Sequence, residues 1–87
     1  MTIDFSHFQA FTGISHEKVV EQDIHKEIAD LLYTQYNGIM AHDVALRIYK
    51  SEGPVEFNKE EVDFLRKFAQ NGTPIFMDSL EANIKDE

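Results

Sequence analysis

Four histidines, His7, His16, His25 and His42, are the side chains of this 87-residue chain best suited to ligating a metal or moving a proton near neutral pH. A helical metal site needs its histidines about one turn apart, as in HxxxH, whereas these four fall in four separate segments. They are expected as independent residues, at the surface for three of them and partly buried for His42, which lies between apolar neighbours. Ser15, His16 and Glu17 have the types of a nucleophile, a base and an acid, but neighbours in a chain rarely face one another and no nucleophile elbow surrounds them. Glu60 and Glu61 are adjacent carboxylates at the start of an expected helix, where the macrodipole favours negative charge without any catalytic role. Cysteine is absent, which removes thiolate zinc sites, cysteine nucleophiles and disulfides together. The sequence holds no phosphate loop, dinucleotide fingerprint or EF-hand loop. Catalytic residues, cofactors and metals are therefore all expected to be none, and the protein is expected not to be an enzyme.

What remains are the elements themselves. Residues 1–22 do not carry a helical period. Ile3 alternates with Phe5 as in a strand, and Phe5, Phe8 and Phe11 recur at spacing three among His7, Thr12, Gly13 and Ser15. The expectation is a short strand near the start, a turn at Gly13 and a second extended piece around Lys18 to Glu21. From Asp23, a plausible N-cap, Ile24, Ile28, Leu31, Leu32 and Tyr36 fall on one helical face opposite Lys26, Glu27, Asp30 and Thr34. Asn37 and Gly38 end that helix. The next, about Ile39 to Ser51, carries Met40, Ala41, Val44, Ala45 and Ile48 as its inward stripe. A second stripe of Ile39, His42, Leu46 and Tyr49 follows at spacings of three, four and three, leaving only Asp43, Arg47 and Lys50 for water. Such a helix is either central to the domain or has one face committed to another chain, and Ile39, His42, Leu46 and Tyr49 are the candidate partner surface.

The segment Gly53 to Glu61, GPVEFNKEE, joins that helix to the next. Gly53 suits a left-handed cap, Pro54 cannot continue a helix, and Val55 to Phe57 are free to run extended. Asn58 and Glu61 have the spacing of a capping box, which opens a helix over Lys59 to Gln70 with Val62, Leu65, Phe68 and Ala69 inward. Asn71 and Gly72 end it, and Thr73 with Pro74 starts a last helix presenting Phe76, Met77, Leu80 and Ile84. These two helices have the outline of a helix-turn-helix, but Asp78 and Glu81 with Lys85 as the only base would repel a phosphate backbone. The expected fold is α+β and mostly helical: about four short helices with a small N-terminal β-hairpin or a two- to three-stranded sheet. An all-α bundle is the alternative. One small domain over 1–87 is expected, extended over 1–22, helical over 23–84 and frayed over 85–87.

The segment ALRIYKSEGPVEFNKEEVDFLRKF, residues 45–68, resembles small, largely uncharacterised proteins of tailed bacteriophages and prophages. The matching residues are Ile48, Tyr49, Gly53, Pro54, Val55, Glu56 and the helix beginning after Asn58. The resemblance implies a phage or prophage origin, with the host cytoplasm or the virion as location, and assigns no functional residues.

Composition bounds the function. The formal charge is −8 at pH 7, with 16 acidic against 8 basic residues, which opposes direct nucleic-acid binding. No apolar run is long enough for a membrane span and the start lacks a signal-peptide pattern, so a soluble cytoplasmic protein is expected. The leading expectation is a small interaction or assembly protein whose apolar helical surface meets a protein partner or a second copy. The alternative is an acidic inhibitor that mimics nucleic acid on a basic partner enzyme.

Overall fold

In the computed structural model, which describes residues 1–86, four helices and four short strands follow one another as β1 (Thr2–Ile3), β2 (Phe8–Phe11), β3 (Val19–Gln22), α1 (His25–Gln35), α2 (Ile39–Tyr49), β4 (Val55–Glu56), α3 (Lys59–Gln70) and α4 (Pro74–Asn83). The architecture is α+β and mostly helical. The strands form two separate antiparallel pairs, β1 with β4 and β2 with β3, so the segment after α2 does not extend the N-terminal hairpin. Met1 carbonyl accepts from the Phe57 N–H at 2.8 Å, which extends the β1–β4 pairing beyond its two strands. On the other edge of β1, Thr2 and Lys85 exchange backbone hydrogen bonds at 2.8 and 2.9 Å. The tail expected to fray is thus paired at Lys85, while Glu87 lies outside the described residues.

Phe5 and Phe8 are both buried and lie 5.9 Å apart with nearly parallel rings. They meet Ile28, Leu32, Val44, Ile48, Phe57, Val62, Leu65 and Leu80 in one apolar cluster that draws on every helix. The three-residue spacing of Phe5, Phe8 and Phe11 is not helical: Asp4 Oδ1 accepts from the N–H groups of Ser6 and His7, both at 3.0 Å, and this side-chain turn folds the chain between β1 and β2. Within α1, Ile28 and Leu32 are buried as expected, but Leu31 is exposed and Ala29 replaces it in the core. Asp23 is also one residue early. Ile24 occupies the N-cap position, and the Asp23 carboxylate instead accepts from the His25 N–H at 3.3 Å.

Local chemistry set the helix ends of the second half. Asn58 Oδ1 accepts from the Glu61 N–H and Glu61 Oε1 accepts from the Asn58 N–H, both at 2.9 Å, which completes the capping box. Thr73 caps α4, with Pro74 in its first turn. The glycines divide their roles differently from the expectation. Gly53 is not left-handed; α2 closes through Lys50 and through Ser51, whose hydroxyl donates to the Ile48 carbonyl at 2.6 Å. Gly38 is the one described glycine with positive φ, at φ 104° and ψ 167°, a region essentially confined to glycine, and it serves as the N-cap of α2 more than as the end of α1.

Arg47 is not simply a wet-side residue. Its guanidinium pairs with Asp43, donates to the Glu56 carbonyl at 3.1 Å, pairs with the largely buried Glu61 carboxylate, and lies 5.4 Å from the centre of the Phe57 ring. One side chain thereby ties α2 to β4 and to the first turn of α3.

Candidate functional site

The α2 surface follows from how α1 and α2 pack. They form a hairpin joined by Tyr36, Asn37 and Gly38, and Ala29 on α1 with Ala45 on α2 are buried at the floor of the cleft between them. Small residues there let the backbones approach, so the larger residues flanking the seam are pushed to its rim. Tyr33 of α1 and Tyr49 of α2 stand on either side, 57% and 50% exposed, and with Leu46, Ala29, Ala45 and Asp30 they enclose a cleft of about 180 Å³. Only Asp30 among these six carries charge.

Of the four residues expected to form a partner surface, Leu46 and Tyr49 line this cleft. His42 is exposed and not partly buried; its ring lies 5.6 Å from that of Tyr33, one turn along from the cleft. Ile39 is 89% exposed at the first position of α2, because the chain enters the helix through Gly38 with nothing packed over it. The inward stripe is buried at Ala41, Val44, Ala45 and Ile48, while Met40 stays exposed. The helix is therefore not apolar all round because it is central; its second stripe faces outward. Tyr33 was missed as a member of this surface. Its signal was the i,i+4 pair Ala29 and Tyr33, a small residue beneath a large one, which places an aromatic ring over a shallow seam.

The remaining titratable groups do not converge. His7 pairs with Asp4, His16 with Asp78 and the largely buried His25 with Asp23, with His7 near enough to add a weak Coulombic pull on Asp23. Among the described residues no group of three or more histidine, aspartate or glutamate side chains is placed to hold a metal ion. The hydrogen bond from His25 holds the Asp23 carboxyl below its ordinary value. Arg66, clamped by Glu81 at 2.7 Å and by Asp63 at 3.2 Å, has its pKa raised chiefly by the Glu81 hydrogen bond. Arg47 similarly engages Asp43 and Glu61. These pairs intersperse positive and negative charge along α2, α3 and α4.

A second feature lies outside any expectation. Ser79 and Asn83 of α4 are buried polar residues one turn apart. The Asn83 side chain accepts from the Gln9 N–H at 3.0 Å and donates to the Gln9 carbonyl at 2.9 Å, and Ser79 Oγ accepts from the Phe11 N–H at 3.0 Å. The two side chains thus take the place of a neighbouring strand along the edge of β2 that β3 does not use.

No protein-family model matches the chain, and no curated protein or solved structure is significantly similar to it. Among the described residues no helix is long and apolar enough to cross a membrane.

Proposed function

We propose that this protein is a small non-enzymatic interaction protein that presents the outer face of the α1–α2 hairpin to a protein partner or to a second copy. The observation that carries this reading is the tyrosine-flanked cleft with Leu46 at its side and Ile39 and His42 continuing the same stripe of α2. Aromatic residues around a shallow apolar recess suit the anchoring of one large apolar side chain, whose burial is worth about 1.5–3 kcal/mol. A role in phage particle assembly, in the host cytoplasm or in the virion, rests on the resemblance of residues 45–68. The alternative of a nucleic-acid mimic draws less support, since a mimic needs an uninterrupted carboxylate array and Arg47 and Arg66 break the array where the acids are densest.

Leu46→Glu tests the reading. Leu46 is only partly buried, so the variant should stay folded with a loss of about 1–2 kcal/mol, while any self-association or partner complex dissociates. Light scattering and partner recovery before and after the change give the readout. A wild-type protein that is monomeric at all concentrations and retains no partner rules the proposal out.

A further inference from the structure

The hairpin β2–β3 has one edge closed by α4 and one edge open. Phe8 pairs with Gln22, Gln9 with Glu21, Ala10 with Val20 and Phe11 with Val19, and beyond them the Thr12 N–H donates to the Lys18 carbonyl. In an antiparallel ladder hydrogen-bonded and non-bonded pairs alternate, so Ala10–Val20 and Phe8–Gln22 are bonded pairs while Phe11–Val19 and Gln9–Glu21 are not. The α4 contacts agree with that parity, because Gln9 and Phe11 are the residues whose backbone groups meet Asn83 and Ser79. It follows that the N–H and C=O groups of Val19 and Glu21 point away from β2. Among the described residues nothing bonds them.

We infer that this open edge of β3 accepts an extended segment of a basic partner as a further strand. Val19 and Val20 are 48% and 46% exposed, and the strand has no proline to block pairing. Its side chains select the occupant. Val19 and Glu21 share one face of β3, the Glu21 carboxylate accepting from Gln9 Nε2 at 2.9 Å with lone pairs to spare, and Glu17 lies two residues before the strand, on a chain of net charge −8. A second copy is disfavoured in each two-fold antiparallel register that uses the outward groups: centred on Val19, Glu17 meets Glu21; centred on Val20, Glu17 meets Asp23; centred on Glu21, that residue meets its own copy. Like charges directly opposite destabilise a ladder, whereas opposite charges support it. A strand with lysine or arginine opposite Glu17 and Glu21 and an apolar residue opposite Val19 satisfies all three positions. The inference does not draw on the α1–α2 face, and Leu46→Glu should leave it unchanged.

The test is an amide-proton NMR titration of the whole chain with the blocked peptide Lys-Thr-Val-Thr-Lys and, separately, Glu-Thr-Val-Thr-Glu. Saturable, salt-sensitive shifts centred on Val19 and Glu21, with slowed exchange of those two amides and preference for the basic peptide, are expected. Val19→Pro removes an outward N–H without breaking an internal ladder bond and should weaken binding about five- to tenfold. Glu21→Lys, which leaves the backbone untouched and keeps Glu17, should cancel the preference for the basic over the acidic peptide, so the decision survives if the proline variant fails to fold. In the wild type, equal affinity for both peptides, shifts away from β3, no saturation by about 1 mM, or Val19 and Glu21 amides already protected in a dimer of the free protein would overturn the inference.

Discussion

Replacing Asn83 by leucine should be among the most damaging single changes in this chain, although no apolar contact is lost. Asn83 is buried, and its side chain meets both the N–H and the C=O of Gln9, 74 positions away in sequence, at 3.0 and 2.9 Å. Its amide also donates to the Ser79 carbonyl at 2.6 Å, one turn back on its own helix, which holds it in the strand-facing orientation. Leucine has nearly the same size, so the cost is almost purely the two orphaned backbone groups. A buried polar group left unsatisfied costs about 1–3 kcal/mol, and the exposure of Gln9 to water puts each at the lower end, giving about 2–3 kcal/mol in all. A domain of this length has a total stability of about 4–13 kcal/mol, so the variant should lose a large fraction of it. With a urea m-value of about 1–2 kcal/mol/M, the unfolding midpoint should fall by about 1–3 M at unchanged m. The Gln9 and Phe11 amides should also exchange faster in native-state hydrogen exchange. Asn83→Asp sharpens the comparison: it keeps the acceptor for the Gln9 N–H but turns a second carboxylate oxygen toward the Gln9 and Ser79 carbonyls, and should destabilise at least as much as leucine. A loss below about 0.5 kcal/mol for Asn83→Leu, with Gln9 exchange unaltered, would refute the reasoning that α4 stands in for a strand.

Three further outcomes are expected. Asn58→Ala should cost about 1 kcal/mol through loss of the cap, and Glu61→Ala about 2 kcal/mol, because it removes the reciprocal cap and the more buried of the two carboxylates that pair with Arg47; equal losses in a denaturant series would contradict the bridging role of Arg47. Gly38→Ala should cost about 1–3 kcal/mol from its positive φ alone, since no atom lies within 4 Å of an added Cβ, while Gly53→Ala should be neutral or stabilising by about 0.5 kcal/mol; thermal melts of the pair decide it. Asp23 has its carboxyl pKa lowered in the fold by His25, so its contribution is present above the ordinary value of 3.8 and lost as pH falls below it; the stability difference between the wild type and Asp23→Asn should therefore vanish in acid titrations, and a difference that persists there would dissociate it from this hydrogen bond.

Much of the second half was legible in the sequence because its signals are local. Asn58 and Glu61 sit three residues apart, Thr73 adjoins Pro74, and each motif closes on itself within one helical turn, so their structure matches their wording. The candidate surface was half legible. The spacing of Ile39, His42, Leu46 and Tyr49 marks a second stripe on α2, but whether that stripe is covered depends on where α1 and the other elements land. Leu31 shows the same dependence in reverse. It falls on the same expected face as Ile28, three positions before it, yet it stays 39% exposed while Ala29 is buried.

Taken by itself, the sequence determined the helix boundaries of α3 and α4, the extended character of residues 1–22 and the absence of cysteine chemistry, since each of these follows from residue type or from contacts within about four positions. Only the tertiary structure decided that Ser79 and Asn83 turn inward to serve the edge of β2, that Arg47 bridges three elements, and that β3 keeps one edge open. Those outcomes join residues 9 to 74 positions apart, and a hydrogen bond across that distance is fixed by how layers pack, which no local period encodes.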